Sequence, residues 1–270
     1  MHRATWDPQQ YLRHAGHRTR PFLDLLARVS ELPGTPAHIA DLGCGAGNLT
    51  ALLADRWPDA HITGLDNSAD MLAAAREFAG PTSGGGTLGF RAADAAEWIP
   101  DRPYDLVVSN AALQWVPNHP ELLAGWVDSL APGGTFALQV PDQSAAPSHT
   151  LLDELCESAR WRRCLGGRAD GRRQVVLGPA GYLELLAGLN CTVDAWETTY
   201  AQLLSGTDPV LDWTKGTALR PVLTALADDP EATADFLTEY RDLLRAAYPA
   251  TRHGTVYPFR RVFAVATRRS

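Results

Sequence analysis

The chain is expected to be an α/β protein with a largely parallel sheet. Three observations point there. Short β-prone runs alternate with helical runs through the first half, and the connections between them are short and polar. A glycine-dense turn, "DLGCGAGNLT" (Asp41 to Thr50), joins the first of these strands to a helix. Alternation of this kind builds right-handed βαβ units.

Taken in order, Asp7-Pro8 supplies a cap and a first-turn proline for a helical region over residues 8–30. There Tyr11, Leu12, Ala15, Phe22, Leu25, Leu26 and Val29 recur at near-helical spacing until "LPGTP" ends it. "HIADL" is a short buried strand and "GNLTALLADRW" a helix. "AHITGLD" is the second strand, "SADMLAAAREFA" a helix with a serine cap, and "LGFRAAD" the third strand. "YDLVVSN" is the fourth strand, "HPELLAGWVDSL" a helix, and "TFALQVP" the fifth strand after the turn "APGG".

From about residue 143 the rhythm changes. Residues 148–190 read as mostly helical around the Gly/Arg-rich "LGGRADGRRQ", "CTVDAWETTY" as a strand, 207–247 as two helices, and "TVYPFRRVFAVATRR" as a final strand. Helices inserted between late strands cover a ligand crevice at the carboxyl ends of a parallel sheet.

Composition bounds the function. With 45% apolar residues, 20% charged residues and a net charge of −7, the 270-residue chain lacks the basic stripe of a phosphate-neutralising nucleic-acid binder. Its four cysteines show no metal-ligand spacing, so neither a disulfide framework nor a metal is expected. "MHRATWDPQQ" lacks the apolar core of a signal peptide and no run approaches 18 apolar residues. The expectation is a cytoplasmic protein away from the membrane.

A strand, a glycine turn and a helix bring backbone N–H groups and a helix N-terminus up to a polar ligand. Dinucleotides and S-adenosylmethionine are both bound this way. Gly43, Gly45 and Gly47 give GxGxG rather than the dinucleotide GxGxxG, with Asn48 where the third glycine would fall; no P-loop is present. Asp66 closes the second strand about 20 residues on, where an acid accepts from both ribose hydroxyls. Asp94 closes the third strand, facing an adenine amino group or ordering the backbone that follows, and Asn110 closes the fourth. Each alone is a common cap or turn former; together they mark one ligand side of the sheet.

"DLGCGAGNLT", "GLDNSADML", "RAADAAEW", "DLVVSNAALQWV" and "LAPGG" resemble the ordered motifs of class I S-adenosylmethionine-dependent methyltransferases over residues 36–142. That resemblance implies a doubly wound, seven-stranded, Rossmann-like sheet. The final stretch would supply its seventh, antiparallel strand, between strands five and six. It also implies S-adenosylmethionine as cofactor. Asp41 and Gly43 would lie by its methionine end with Gly45 and Gly47 in the same loop. Asp66 would lie at the ribose, with Asn67 next to it among the cofactor-binding residues, Asp94 and Ala95 at the adenine, and Asn110 at the methionine amino group. Met71 is expected under the adenine or in the helix core.

The flanks are more discriminating. "WDPQQYLRHAGHRTRPFLDLLARV", "SNAALQW", the stretch from Val140 to His149, "WETTY", "DWTKGTALRPVL", "FLTEYRDLLRAAYP" and "RVFAVA" resemble the trans-aconitate methyltransferase family over nearly the whole chain. This implies one methyltransferase domain. Residues 1–35 would form a helical lid, 36–142 the cofactor core, and 143–190 with 207–250 the helices covering substrate. The implied partner is a small polycarboxylate. Such a substrate is ionised at pH 7 and attacks a sulfonium methyl without a general base, so no catalytic side chain is required.

Its remaining carboxylates call for arginines. Candidates are Arg220, Arg261 and, in the lid, Arg18 and Arg20. Arg260 replaces an expected proline, and adjacent strand residues face opposite ways, so at most one of Arg260 and Arg261 lines a pocket. Gln114 and Trp115 are placed to bound the transfer site, with the core as the alternative for Trp115. His149 and Tyr257 are further pocket residues, and Trp6 and Tyr11 are expected to pack over the cofactor. Methylation of another small metabolite, or cofactor binding without transfer, are the alternatives; the GxGxG spacing disfavours a nicotinamide reductase.

Overall fold

A computed structural model describes residues 15–116, 118–166 and 176–269. The first half alternates as expected. Helix α1 (Ala15–Leu26) is followed by β1 (His38–Leu42), α2 (Thr50–Arg56), β2 (His61–Asp66), α3 (Ala69–Ala75), β3 (Gly80–Pro81), β4 (Thr87–Ala92), β5 (Tyr104–Asn110), α4 (His119–Asp128) and β6 (Leu130–Pro141). Then come α5 (Pro147–Glu157), α6 (Ala159–Leu165), α7 (Pro179–Gly188), β7 (Cys191–Leu204), α8 (Pro209–Lys215), α9 (Arg220–Ala225), α10 (Pro230–Ala247), β8 (Ala250–Thr251) and β9 (Gly254–Arg268).

The strands form one sheet in the order β3-β4-β2-β1-β5-β6-β9-β7, with β8 paired to β9. Strands β4, β2, β1, β5 and β6 pair in parallel, and β9 runs antiparallel against β6. Without the two-residue β3 and β8, this is the seven-stranded doubly wound sheet expected from the sequence, with the last strand inserted between the fifth and sixth.

Two local readings are corrected. Residues 207–247 hold three helices, because Gly216 ends α8 and Leu226 ends α9 before Asp229 caps α10 through the Ala232 N–H. The "APGG" segment is the opening of β6 rather than a free turn. It enters with a register shift against β5 between Tyr104 and Leu106, and Gly133 takes φ +76° there. The loop "GPTSGGGTLGF" folds back on the turn before β2: Gly84 N–H, Gly86 N–H and Thr82 Oγ1 all donate to the Pro58 carbonyl, and β3 pairs with β4.

The chain divides into two compact units, and β7 and β9 contribute to both. The first comprises Met1–Pro141, Val175–Thr198 and Arg261–Ser270. One face of its sheet presents Ala40, Leu42, Val107, Phe136, Leu138, Val140, Val262, Ala264 and Ala266. These pack with Leu123, Trp126 and Val127 of α4 and Tyr182 and Leu186 of α7. Helix α7 therefore belongs to this core. Its Tyr182 hydroxyl meets His119 Nε2 at 2.7 Å inside it, and burial lowers the His119 pKa, keeping the ring neutral. Phe22 and Leu25 of α1 are fully buried, and α1 packs along β6.

The second unit, Asp142–Gln174 and Thr199–Arg260, has its own core of Trp161, Phe236, Tyr240, Leu244, Trp213 and Tyr257. Helix α10 buries Phe236, Tyr240 and Leu244 at the i, i+4, i+8 spacing of one helical face. Trp161 is fully buried, packs edge-on against Phe236 at 4.9 Å and donates its indole N–H to Glu239 at 2.9 Å. Replacing Trp161 by Ala empties the largest buried side chain of this core. Denaturant unfolding is expected to show a loss of about 3–5 kcal/mol; a loss below ~1 kcal/mol would contradict this packing.

Candidate active site

The turn after β1 is shaped by its glycines. Gly43, Gly45 and Gly47 all have positive φ. At Gly43 a Cβ would come within 2.2 Å of the Ala112 methyl, so only glycine lets the two turns after β1 and β5 meet; at Gly45 nothing lies within 4 Å. The loop is tied to β2: the Gly43 and Cys44 N–H groups donate to the Leu65 carbonyl, and the Gly45 N–H donates to Asp66 Oδ2 at 2.9 Å. Asp66 Oδ1 accepts the Ser68 N–H at 2.8 Å. Each carboxylate oxygen has accepted one backbone N–H and keeps a further lone pair for a ligand hydroxyl.

Beyond β2, Asn67 Nδ2 donates to Asp94 Oδ2 at 3.2 Å, and Asp94 Oδ1 caps the turn at Ala95 by accepting the Ala96 N–H. Met71 is buried on α3, the helix that follows β2. The expected cofactor residues Asn67, Asp94 and Ala95 thus come together.

Register extends the site across the sheet. Residues paired between strands, and residues two apart along a strand, point to the same face. Asp41 pairs with Gly64 of β2 and Val108 of β5; Asn110 pairs with Gln139 of β6; Gln139 pairs with Phe263 of β9. Asp66, Asp41, Asn110, Gln139 and Arg261 therefore share one face, opposite the apolar core face, near the carboxyl ends of the parallel strands. Asp41, Asn110, Gln139 and Arg261 are each less than 10% exposed.

The row runs from an acidic side to a cationic one. Asp41 accepts a hydrogen bond from Thr50 Oγ1 at 2.7 Å. Burial nevertheless pushes its pKa up to about 7, the Thr50 bond opposing and the nearby Asp66 charge adding to the rise. At the far end the Arg261 guanidinium donates through Nη1 to Gln139 Oε1 at 2.8 Å.

Between them, the chain turns sharply after β5. Ala111 takes φ +54°, a left-handed conformation uncommon for a residue with a Cβ. It is held by its N–H on the Gln139 carbonyl and its own carbonyl on Gln114 Nε2 at 2.7 Å. The Gln114 amide must face that carbonyl with its nitrogen, which leaves Oε1 as a buried acceptor. Among the described residues Gln114 Oε1 and Asn110 Oδ1 have no hydrogen-bond partner. Two orphaned acceptors at the tip of one strand fit a ligand that donates, such as an ammonium group. Trp115, beside them, is partly exposed rather than core.

The second unit brings His149 and Tyr257 together, through a residue that the sequence reading missed. Ser148 Oγ meets the Tyr257 hydroxyl at 3.2 Å and His149 Nδ1 at 3.1 Å; the Ser148 N–H donates to the Tyr248 hydroxyl, and its carbonyl accepts from Tyr240. Burial lowers the His149 pKa, against the pull of Asp153 and Asp142, and raises that of Tyr257 to about 12. Both side chains are neutral at pH 7. Arg220 opens α9, half-buried. Arg260 pairs with Asp142, and its N–H donates to Gln143 Oε1 at 2.8 Å. Arg20 is exposed beside Asp24. Trp6, Tyr11 and the side chain of Arg18 lie outside the described residues.

Residues 39–134 match a family model described as a methyltransferase domain. A trans-aconitate 2-methyltransferase of Streptomyces coelicolor is 64% identical over 264 residues, covering 97% of this chain and 86% of that protein. Its namesake in Streptomyces avermitilis is 64% identical over 265 residues, covering 97% and 96%. The chain belongs to the trans-aconitate 2-methyltransferase family. As a member of that family it is an enzyme, a methyltransferase. The YcgJ protein of Bacillus subtilis, a solved structure, shares the fold with a TM-score of 0.56 at 15% identity, covering 93% of this chain and 99% of that one. Among the described residues, no helix is long and apolar enough to cross a membrane.

Two predictions test the site as built. Gly43→Ala combines a left-handed backbone with a steric clash and is expected to cost about 3 kcal/mol or more, whereas Gly45→Ala bears only the backbone penalty of roughly 1–2 kcal/mol; equal losses in thermal unfolding would contradict the close approach to Ala112. The second concerns Asp41. Between its unfolded pKa near 4 and its folded value of about 7, the folded chain holds the proton that the unfolded chain has lost. This contribution therefore favours folding at low pH and fades as pH rises toward 7. Relative to Asp41→Asn, the ligand-free protein is expected to lose about 2 kcal/mol from pH 5 to pH 7. Parallel stability curves for the two proteins would contradict the buried, raised carboxyl.

Proposed function

We propose that the chain transfers a methyl group from S-adenosylmethionine to a carboxylate of trans-aconitate or a closely similar small polycarboxylate, as a cytoplasmic enzyme. The observation that carries this reading is the polar row across the sheet. It is acidic at Asp66 and Asp41, offers acceptors at Asn110, and is cationic at the buried Arg261. A donor that bears an ammonium and a sulfonium suits the acidic end, and an anionic acceptor suits the other. Family membership and the names of the relatives in two Streptomyces species agree with that division.

In this reading residues 36–142 form the cofactor core. Asp66 accepts from the ribose hydroxyls while Gly45 and Ser68 hold its carboxylate in place. Asn67, Asp94 and Ala95 border the adenine, and Met71 packs below it. Asn110 Oδ1 and Gln114 Oε1 receive the amino group. Gln114 was expected on the substrate side, but its free atom is an acceptor and suits an ammonium better than a carboxylate.

When bound, S-adenosylmethionine supplies a methyl group on a positively charged sulfur. The chain's own task is alignment. Arg261, always protonated, fixes one carboxylate of the substrate, and Trp115 borders the reacting end. A substrate carboxylate is already ionised at pH 7, so no side chain has to remove a proton.

Incubation with methyl-labelled S-adenosylmethionine and a panel of polycarboxylates, followed by mass spectrometry, is expected to give a labelled monomethyl ester of trans-aconitate. No ester from any panel member would overturn the proposal. Asp66→Ala is expected to weaken donor binding by roughly 10-fold or more, since it removes hydrogen bonds to a charged acceptor; unchanged affinity in calorimetry would contradict its role.

A further inference from the structure

The row holds one residue with no role in that reading. Gln139 is fully buried on β6, between Asn110 of β5 and Phe263 of β9, on the face that carries Arg261. A guanidinium has only donors, so the bond from Arg261 Nη1 fixes which way the amide lies: Oε1 toward arginine, NH2 away from it. Among the described residues, Gln139 Nε2 has no hydrogen-bond partner. The register-paired Asn110 Oδ1, an acceptor, lacks one as well, and the two do not bond to each other. A buried amide donor left unpaired is costly, by an amount that a ligand acceptor recovers on binding.

We propose that Gln139 is a specificity residue that donates from Nε2 to a carboxylate oxygen of the methyl acceptor. It rests on the functional reading above. Arg261 plays two parts: it supplies the cation of the site and it orients the Gln139 amide. Gln139 supplies the neutral, directional contact that a point charge alone lacks. The adjacent acceptor at Asn110 and donor at Gln139 then sort the two reactants by hydrogen-bond polarity, ammonium on one side and carboxylate on the other.

One variant is Gln139→Glu in the full chain. It keeps the volume and an oxygen for Arg261, exchanges the outward NH2 for a second oxygen, and adds a carboxylate charge beside the guanidinium, so a neutral companion decides whether the lost donor itself matters. Gln139→Met is the companion, with both polar atoms removed and size kept. Three readouts are compared with wild type: trans-aconitate affinity by calorimetry with S-adenosylhomocysteine present, KM and kcat for transfer, and affinity for S-adenosylmethionine. Melting temperature checks folding.

The expected result is a loss of trans-aconitate affinity and a rise in KM of roughly 10- to 100-fold, larger for Glu than for Met, with donor affinity within about twofold. Among dicarboxylate analogues, each lacking one carboxylate in turn, the one without the contacted group should show little difference between wild type and variant. Unchanged trans-aconitate affinity in a folded variant would overturn the proposal. So would a loss confined to S-adenosylmethionine, which would assign the contact to the donor's own carboxylate. Wild type that binds trans-aconitate without methylating it would sink the functional reading, while the binding contrast still decides the role of Gln139.

Discussion

The antiparallel pairing of β9 with β6 is the constraint on which the site depends. Phe263 lies opposite Gln139, and Arg261 opposite Pro141. Because strand side chains alternate in direction, this register sets Arg261 on the same face as Asp41, Asn110 and Gln139, and sets Val262 and Ala264 in the apolar core behind them. A slip of one residue would exchange those faces, burying the guanidinium among Phe136, Leu138 and Trp126. The apolar residues on the core face thus hold the charged residue in place on the other.

The row also has an electrostatic logic. Asp41 is buried deeply enough that its pKa rises to about 7, with Asp66 nearby adding to the cost of a second negative charge. A ligand cation would relieve both. Arg261 stays charged at any ordinary pH, and the Gln139 oxygen supplies one of the hydrogen bonds that a buried guanidinium requires. Neutral amides, Asn110 and Gln139, separate the two ends. The left-handed Ala111, anchored at both its N–H and its carbonyl, turns the chain so that Gln114 joins them.

Much of this was legible in the sequence because the signals were local. Alternating strands and helices, the GxGxG turn and polar strand ends such as Asp66 and Asn110 are written in runs of ten residues or fewer, and the sheet formed as those runs implied. Arg261 was found through resemblance, since nothing in "PFRRVF" alone says which arginine turns inward; the buried Arg261 and the Asp142-paired Arg260 now differ by their partners. Gln139 and Ser148 were not found. Gln139 sits in "TFALQVP" as a lone polar residue in an apolar strand, and its meaning comes from neighbours on β5 and β9 that only strand pairing supplies. Ser148 draws its meaning from three tyrosines 92, 100 and 109 residues away in sequence. The helices over 207–247 were miscounted because Gly216 and Leu226 break a pattern whose apolar spacing carries on across them.

In the proposed function, one face of the sheet sorts donor from acceptor by charge. A crystal structure of the chain with S-adenosylhomocysteine and trans-aconitate tests it most directly. Ribose hydroxyls are expected on Asp66, the amino group at Asn110, and a trans-aconitate carboxylate within about 3.2 Å of Arg261. A trans-aconitate bound with no carboxylate oxygen at Arg261, or a cofactor amino group on the arginine side of the row, would contradict it.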